Sequence, residues 1–166
     1  MKAKLQLIVL IVVLGAPVPV AWAMLHWQVG IPQSDVARGE LDHQLPPLNQ
    51  WPLEWQASNE RWSLVWSAPQ ACATDCQAQA DQWWRMHRAL GRKAIRVERL
   101  RLSEQQHKVL PGEANLQWKG SPPSWVEDFQ VWLVDPQGIV VTRYAALPDI
   151  EDVHKDLARL LKRNPE

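Results

Sequence analysis

Residue periodicity predicts an α/β domain, a central mixed sheet of about four strands flanked by helices, preceded by one N-terminal transmembrane helix. Three observations carry this. A strand–helix–strand run occupies Trp62–Leu102, a hairpin occupies Gln130–Tyr144, and an uncharged stretch extends from Leu5 to Leu25.

The 166 residues suggest one domain plus an appendage. Eighteen basic and eighteen acidic side chains cancel, and no basic block breaks the pattern, so nucleic acid is not an expected partner. The aromatic set is unusual, with 11 Trp against one Tyr and one Phe. Tryptophan offers a large apolar area and one N–H that seeks an acceptor, so most of these residues are read as packing residues.

Lys2 and Lys4 precede the apolar run. A membrane-crossing helix needs roughly 20 apolar residues, and flanking lysines favour a cytoplasmic N-terminus. Residues 1–27 are therefore read as an inner-membrane anchor that leaves the rest of the chain in the periplasm. The rival reading is a cleaved signal peptide. Ala21-Trp22-Ala23 has the small-x-small pattern of a cleavage site, and Leu5–Leu14 has the length of a signal-peptide core. Both readings export the domain.

Residues 28–60 read as a tether and extended lead-in, with Pro32, Pro46, Pro47 and Pro52, and with Leu45, Leu48, Trp51, Leu53 and Trp55 laid against the domain of residues 61–166. Within that domain Trp62–Trp66 is a strand ending at Ala68-Pro69. A helix follows over about Ala71–Leu90, its apolar positions recurring at three- and four-residue spacing, and Gly91 stops it. Ile95–Leu102 alternates as a second strand, and residues 103–128 read as irregular. Gln130–Val134 is a third strand. Asp135-Pro136-Gln137-Gly138 turns it into an antiparallel partner, Ile139–Tyr144. A final helix over about Asp149–Lys162 carries acidic residues in its first turn and basic residues in its last. This order of elements describes the thioredoxin fold, with helices on the faces of the sheet.

Cys72 and Cys76 are the only cysteines, and they fall where the first strand meets its helix. Residues i and i+4 share a helical face, with Cα atoms roughly 6 Å apart, within reach of a disulfide. An exported compartment lets that bond form. The first turn of a helix stabilises a thiolate, and Asp75 opposes it. Three readings stand open: a reversible dithiol/disulfide, a soft-metal site with two thiolates on Cu(I), and a purely structural pair, either a short-loop disulfide or two plain helix residues. Zinc is not expected, because no second ligand pair lies at finger spacing. His26, His43, His87, His107 and His154 read as surface or hydrogen-bonded residues. No small-molecule site is evident: there is no Gly-rich phosphate loop and no Ser/His/Asp arrangement.

The segment Trp62–Leu102 with Cys72-x-x-x-Cys76, followed by Val131-Trp132-Leu133-Val134-Asp135-Pro136-Gln137-Gly138, resembles the Sco/SenC family of thioredoxin-like proteins. Ala37-Arg38-Gly39-Glu40-Leu41, Pro46-Pro47-Leu48 and the basic final helix make it more similar still to the membrane-anchored, thioredoxin-like cytochrome oxidase assembly proteins of proteobacteria. The resemblance implies a role in copper-site maturation of cytochrome c oxidase, by copper delivery or as a thiol–disulfide oxidoreductase. It also implies an oxidase subunit or assembly factor as partner. Copper-binding members carry a histidine five residues before the aromatic of the strand entering the turn. Here that position is Glu127, a hard ligand poorly suited to Cu(I). Pro122 and Pro123 lie too far before the strand to stand for the fold's cis-proline. The missing histidine moves weight towards redox or scaffold work. Copper transfer through Cys72, Cys76 and Glu127 remains a third expectation.

Overall fold

A computed structural model describes residues 4–6, 10, 14–27, 37–41, 45–57 and 60–164. The chain forms two compact units, 1–36 and 37–166. In the first, helix α1 spans Pro17–Trp27, and the Trp22 and His26 rings stack at 5.2 Å. No helix among the described residues is long and apolar enough to cross a membrane. Of the anchor expected over residues 1–27, residues 1–3, 7–9 and 11–13 lie outside the described residues, as do His43 and residues 28–36 of the tether.

The second unit is built on a five-stranded mixed sheet, one strand more than expected. In chain order the elements are β1 (Trp62–Ser67), α2 (Thr74–Ala89), β2 (Val97–Ser103), β3 (Glu113–Gln117), β4 (Val131–Val134), β5 (Val140–Tyr144) and α3 (Ile150–Arg163). The spatial order is β3-β2-β1-β4-β5. β1 runs parallel to β2 and antiparallel to β4, and β2 runs parallel to β3. The extra strand, β3, falls in the segment read as irregular. Its sequence, Glu-Ala-Asn-Leu-Gln, has no apolar run, because an edge strand is held by backbone pairing to its neighbour and leaves part of its surface to water.

Every residue of β1 is buried, as befits the central strand. Side chains alternate across a strand, so β1 serves two cores. Trp62, Leu64 and Trp66 join Ala80, Trp83 and Met86 of α2 and Val153, Leu157 and Leu161 of α3. Val65 joins Leu100 and Leu102 of β2, Trp132 and Val134 of β4, and Leu48, Trp51 and Leu53 of the lead-in. Both helices of the unit thus lie on one face, where helices on both faces were expected. The lead-in covers the other face. Trp51 is its centre, stacked 6.3 Å from Trp118 and edge-on to Trp125 and Trp132 at 4.7 and 5.3 Å. Tryptophans supply there the area a helix would otherwise bury.

A bulge between β4 and β5 shifts register at Leu133/Val134. It places Val140 on the lead-in core while Tyr144 stays on the helix core. The turn joining the two strands forms as its residues predict. Gly138 takes φ 91° and donates its N–H to Asp135 O, while Asp135 Oδ1 accepts from the N–H groups of Gln137 and Ile139. Helix α2 starts at Thr74, three residues later than expected. β2 starts at Val97, so Ile95 lies exposed in the preceding 3-10 turn.

The lead-in also clips to the other end of the sheet. Glu40 pairs with Arg143 beside β5. Gly39 packs so closely on Thr142, Tyr144 and the Arg143 carbonyl that a Cβ would clash. Asp156, 3% exposed on α3, is the anchor. Its Oδ2 accepts from Arg38 N at 2.6 Å, Gly39 N at 3.2 Å and the Tyr144 hydroxyl at 2.8 Å, and its Oδ1 accepts from Arg159. Burial, then the hydrogen bond to Asp156 and its charge, push the Tyr144 hydroxyl well above the usual phenol range. A pKa raised in the folded state contributes stability below the unfolded value, about 10, and that contribution is lost as pH rises beyond it. Tyr144 is the only tyrosine of the chain, so ultraviolet titration reads it alone. The expected result is tyrosinate absorbance that appears only with alkaline unfolding. A reversible titration near 10 in the folded chain would contradict this placement.

Candidate functional site

The β1 chain leaves the sheet at Ser67 and passes through Pro69 to Cys72 before α2 begins. Cys72 therefore precedes the helix, Ala73 caps it, and Cys76 lies in its first turn. The two are joined as a disulfide with Cα atoms 5.0 Å apart. The sulfurs differ in environment. Cys76 is 1% exposed within the helix core, whereas Cys72 is half-buried and lines a cavity of about 520 Å³. That cavity lies between α2 and the segment that follows β2, lined among others by Cys72, Asp81, Arg101, His107, Lys108 and Leu110.

A buried charge network backs the cavity. Arg99 and Arg101 alternate with Leu100 and Leu102 along β2, so they point to the cysteine side of the sheet while the leucines enter the lead-in core. Arg101, 2% exposed, directs Nη1 at Cys72 Sγ, 3.8 Å away. Its Nη2 pairs with Glu113 Oε2 at 2.7 Å, and its guanidinium lies 4.8 Å over the Trp66 ring. Glu113 Oε1 accepts from Trp66 Nε1 at 3.0 Å. Arg99 Nη2 donates to Pro111 O. Burial draws the Arg99 guanidinium below its ordinary pKa, an effect Glu113 opposes and Arg101 reinforces.

Sequence reasoning missed this network. The alternation in β2 marks one face as charged, and a charged face normally means solvent. β2 lies between β1 and β3 and is covered on both sides, so its arginines are buried and must be paired. His107, read as a surface or hydrogen-bonded residue, lines the Cys72 cavity, and its buried Nε2 has no hydrogen-bond partner among the described residues. His87 is satisfied, with Nε2 within 2.9 Å of the Ala94 and Val97 carbonyls.

Glu127 sits elsewhere. It lines a separate cavity of about 630 Å³ with Arg38, Glu40, Arg143 and Tyr144, and its carbonyl accepts from Ser67 Oγ. No group of three or more His, Cys, Asp or Glu side chains that could hold a metal occurs among the described residues. Among the described residues, Cys72 and Cys76 are held as a disulfide, and no third His, Cys, Asp or Glu groups with them as a metal ligand set. The described residues contain no cis peptide, and the step into β4 is made by Phe129, with φ 62°.

Among solved structures, yeast Sco1 aligns at a TM-score of 0.50 and 14% identity, covering 63% of this chain and 85% of its own. Copper-bound ScoI of Arabidopsis thaliana aligns at 0.49 and 9%, covering 63% and 86%. BsSco, described as a member of the Sco family of cytochrome c oxidase assembly proteins with a disulfide switch, aligns at 0.47 and 13%, covering 64% and 83%. At these identities the likeness is one of fold. No curated protein matches. Residues 62–164 match the family described as transmembrane-like, thioredoxin-like, C-terminal domain. This span takes in the whole sheet, both cysteines, α2 and α3, and the chain belongs to that family of thioredoxin-like domains.

Proposed function

We propose that this chain is a membrane-anchored, periplasmic, thioredoxin-like accessory factor in cytochrome c oxidase assembly, working through a reversible Cys72–Cys76 dithiol/disulfide. One observation carries the redox part: the two cysteines are bonded, one partly exposed and lining a cavity, the other enclosed. Thiol–disulfide exchange needs that asymmetry, an accessible sulfur to meet the client and a sheltered one to resolve the adduct. The oxidase assignment rests on the resemblance to the Sco/SenC and oxidase-assembly proteins. The membrane and periplasmic assignment rests on Lys2, Lys4 and the apolar run Leu5–Leu25, with residues 28–60 as tether and lead-in and residues 61–166 as the working domain.

The Cys72 thiolate attacks a client disulfide and forms a Cys72–client bond, and the client's other sulfur leaves as a thiolate. Cys76, deprotonated, then attacks Cys72 Sγ and expels the second client thiolate. The client gains two electrons, and the Cys72–Cys76 bond forms. An exported dithiol reductant must restore the pair. Copper delivery is the weaker reading, because Glu127 opens on a different cavity from Cys72.

Replacing Cys76 by serine removes the resolving sulfur. The expected result is a Cys72-linked adduct with an oxidase subunit or assembly factor, seen on non-reducing gels and absent from the Cys72→Ser chain. No adduct from either variant, together with normal oxidase assembly when both cysteines are serine, would favour a scaffold that kept the fold without the chemistry.

A further inference from the structure

The side chains behind Cys72 carry an unbalanced charge. Two guanidiniums, Arg99 and Arg101, lie near a single carboxylate, Glu113, which is ion-paired to Arg101 alone, and all three residues are buried. This leaves one net positive charge in a region of low dielectric, with its nearest point, Arg101 Nη1, 3.8 Å from Cys72 Sγ. Burying charge is costly, and nothing in the strand pairing of β2 requires arginine there.

We propose that Arg101 is a positioning residue that holds the Cys72 sulfur as a thiolate once the disulfide opens, making the pair a stronger oxidant than the same pair without it. This rests on the redox reading above. A sulfur in a disulfide is neutral and accepts a hydrogen bond weakly, whereas a thiolate accepts a charge-assisted one, roughly twice as strong as a neutral bond. The guanidinium is already in place, fixed by Glu113 and lying over the Trp66 ring, so it need not move when charge appears on sulfur. It therefore favours the reduced state over the oxidised one. The same contact assists the second step of reduction. A dithiol reductant attacks Cys72 Sγ and Cys76 leaves. The reductant's second thiolate then attacks its own bonded sulfur and expels Cys72 as the thiolate that Arg101 receives. Two electrons pass to the pair, and the reductant ends as a disulfide.

Other titratable groups lie near the pair. Asp75 follows Cys72 in the first turn of α2, and Asp81 lies in the cavity, ion-paired to Arg85 at 2.8 Å. Lys108 and His107 line the cavity from the segment after β2. Asp75 and Lys108 are exposed and screened by solvent, and Asp81 is partly so. Arg101 is not, and it is the charged group in hydrogen-bond contact with Cys72 Sγ.

The test is the equilibrium of the full chain with a graded glutathione or dithiothreitol redox buffer at one mildly alkaline pH, read by alkylation and mass. Glu113→Gln removes the counter-charge and keeps an acceptor for Trp66. It is expected to shift the equilibrium at least threefold towards the dithiol. Arg101→Met combined with Glu113→Gln removes the cation without stranding a buried carboxylate. It is expected to shift the equilibrium about tenfold or more towards the disulfide, about 30 mV per tenfold. Opposite signs are the signature, since a merely structural role would move both variants the same way. Shifts of the same sign, or a double variant within twofold of the parent, overturn the proposal. Should the double variant fail to fold, Glu113→Gln decides alone, and no shift or a shift towards the disulfide overturns it. If the parent pair opens only in strong dithiothreitol, the redox-cycling reading falls, while the ordering of the variants in that buffer still tests Arg101.

Discussion

Asp156→Ala is expected to destabilise the fold by about 3–5 kcal/mol, the cost of stripping a buried charge-and-hydrogen-bond centre from one side. Asp156 Oδ2 holds the backbone N–H groups of Arg38 and Gly39 and the Tyr144 hydroxyl together. Alanine leaves these donors facing an apolar methyl, and an unmade buried hydrogen bond costs more than a made one contributes. Tyr144→Phe, which removes one donor and leaves the carboxylate its other partners, is expected to cost about 1 kcal/mol. Urea unfolding followed by tryptophan fluorescence separates the two. Trypsin gives a local readout, because its target bond, Arg38–Gly39, lies between the two N–H groups that Asp156 holds. Cleavage there is expected to accelerate at least tenfold in Asp156→Ala under native conditions. Unchanged cleavage, or a loss of stability below about 1 kcal/mol, would mean that the lead-in is held by other contacts.

Arg101→Met alone is expected to be comparably damaging, about 3–5 kcal/mol, because it strands the Glu113 carboxylate in a site that excludes water. The Glu113 side chain is fully buried, and its closest charged partner is Arg101 at 2.7 Å. Adding Glu113→Gln is expected to recover most of the loss, since a neutral pair of similar volume often matches a buried ion pair in stability. Thermal or urea unfolding of the two single variants and the double variant forms a cycle, and a coupling below about 0.5 kcal/mol would show that the pair does not act as a unit. By contrast, the exposed bridge Arg143–Glu40 is expected to contribute little.

The candidate site was half legible in the residue pattern. Cys72 and Cys76 stood out as the only cysteines, at a strand-to-helix junction, and they meet there. Their spacing suggested two positions on one helical face. In the fold Cys72 sits ahead of the helix, and this separates an accessible sulfur from an enclosed one. The start of a helix is poorly marked when Ala73 caps it without a side-chain hydrogen bond. Glu127 was placed by counting from Trp132, but distance along the chain does not decide which cavity a side chain enters.

Local chemistry sufficed for the strand–helix–strand unit, the Asp135–Gly138 turn, the final helix and the cysteine pair. Alternation, helical period and turn residues are read over a few neighbours, and those neighbours enforce them. The fifth strand, the lead-in that replaces a helix on one face of the sheet, and the burial of Arg99, Arg101 and Glu113 beside Cys72 were decided by the tertiary structure alone. Each depends on what lies across a strand from a residue rather than beside it in the chain. An arginine in an alternating strand looks the same on paper whether water or a second core faces it.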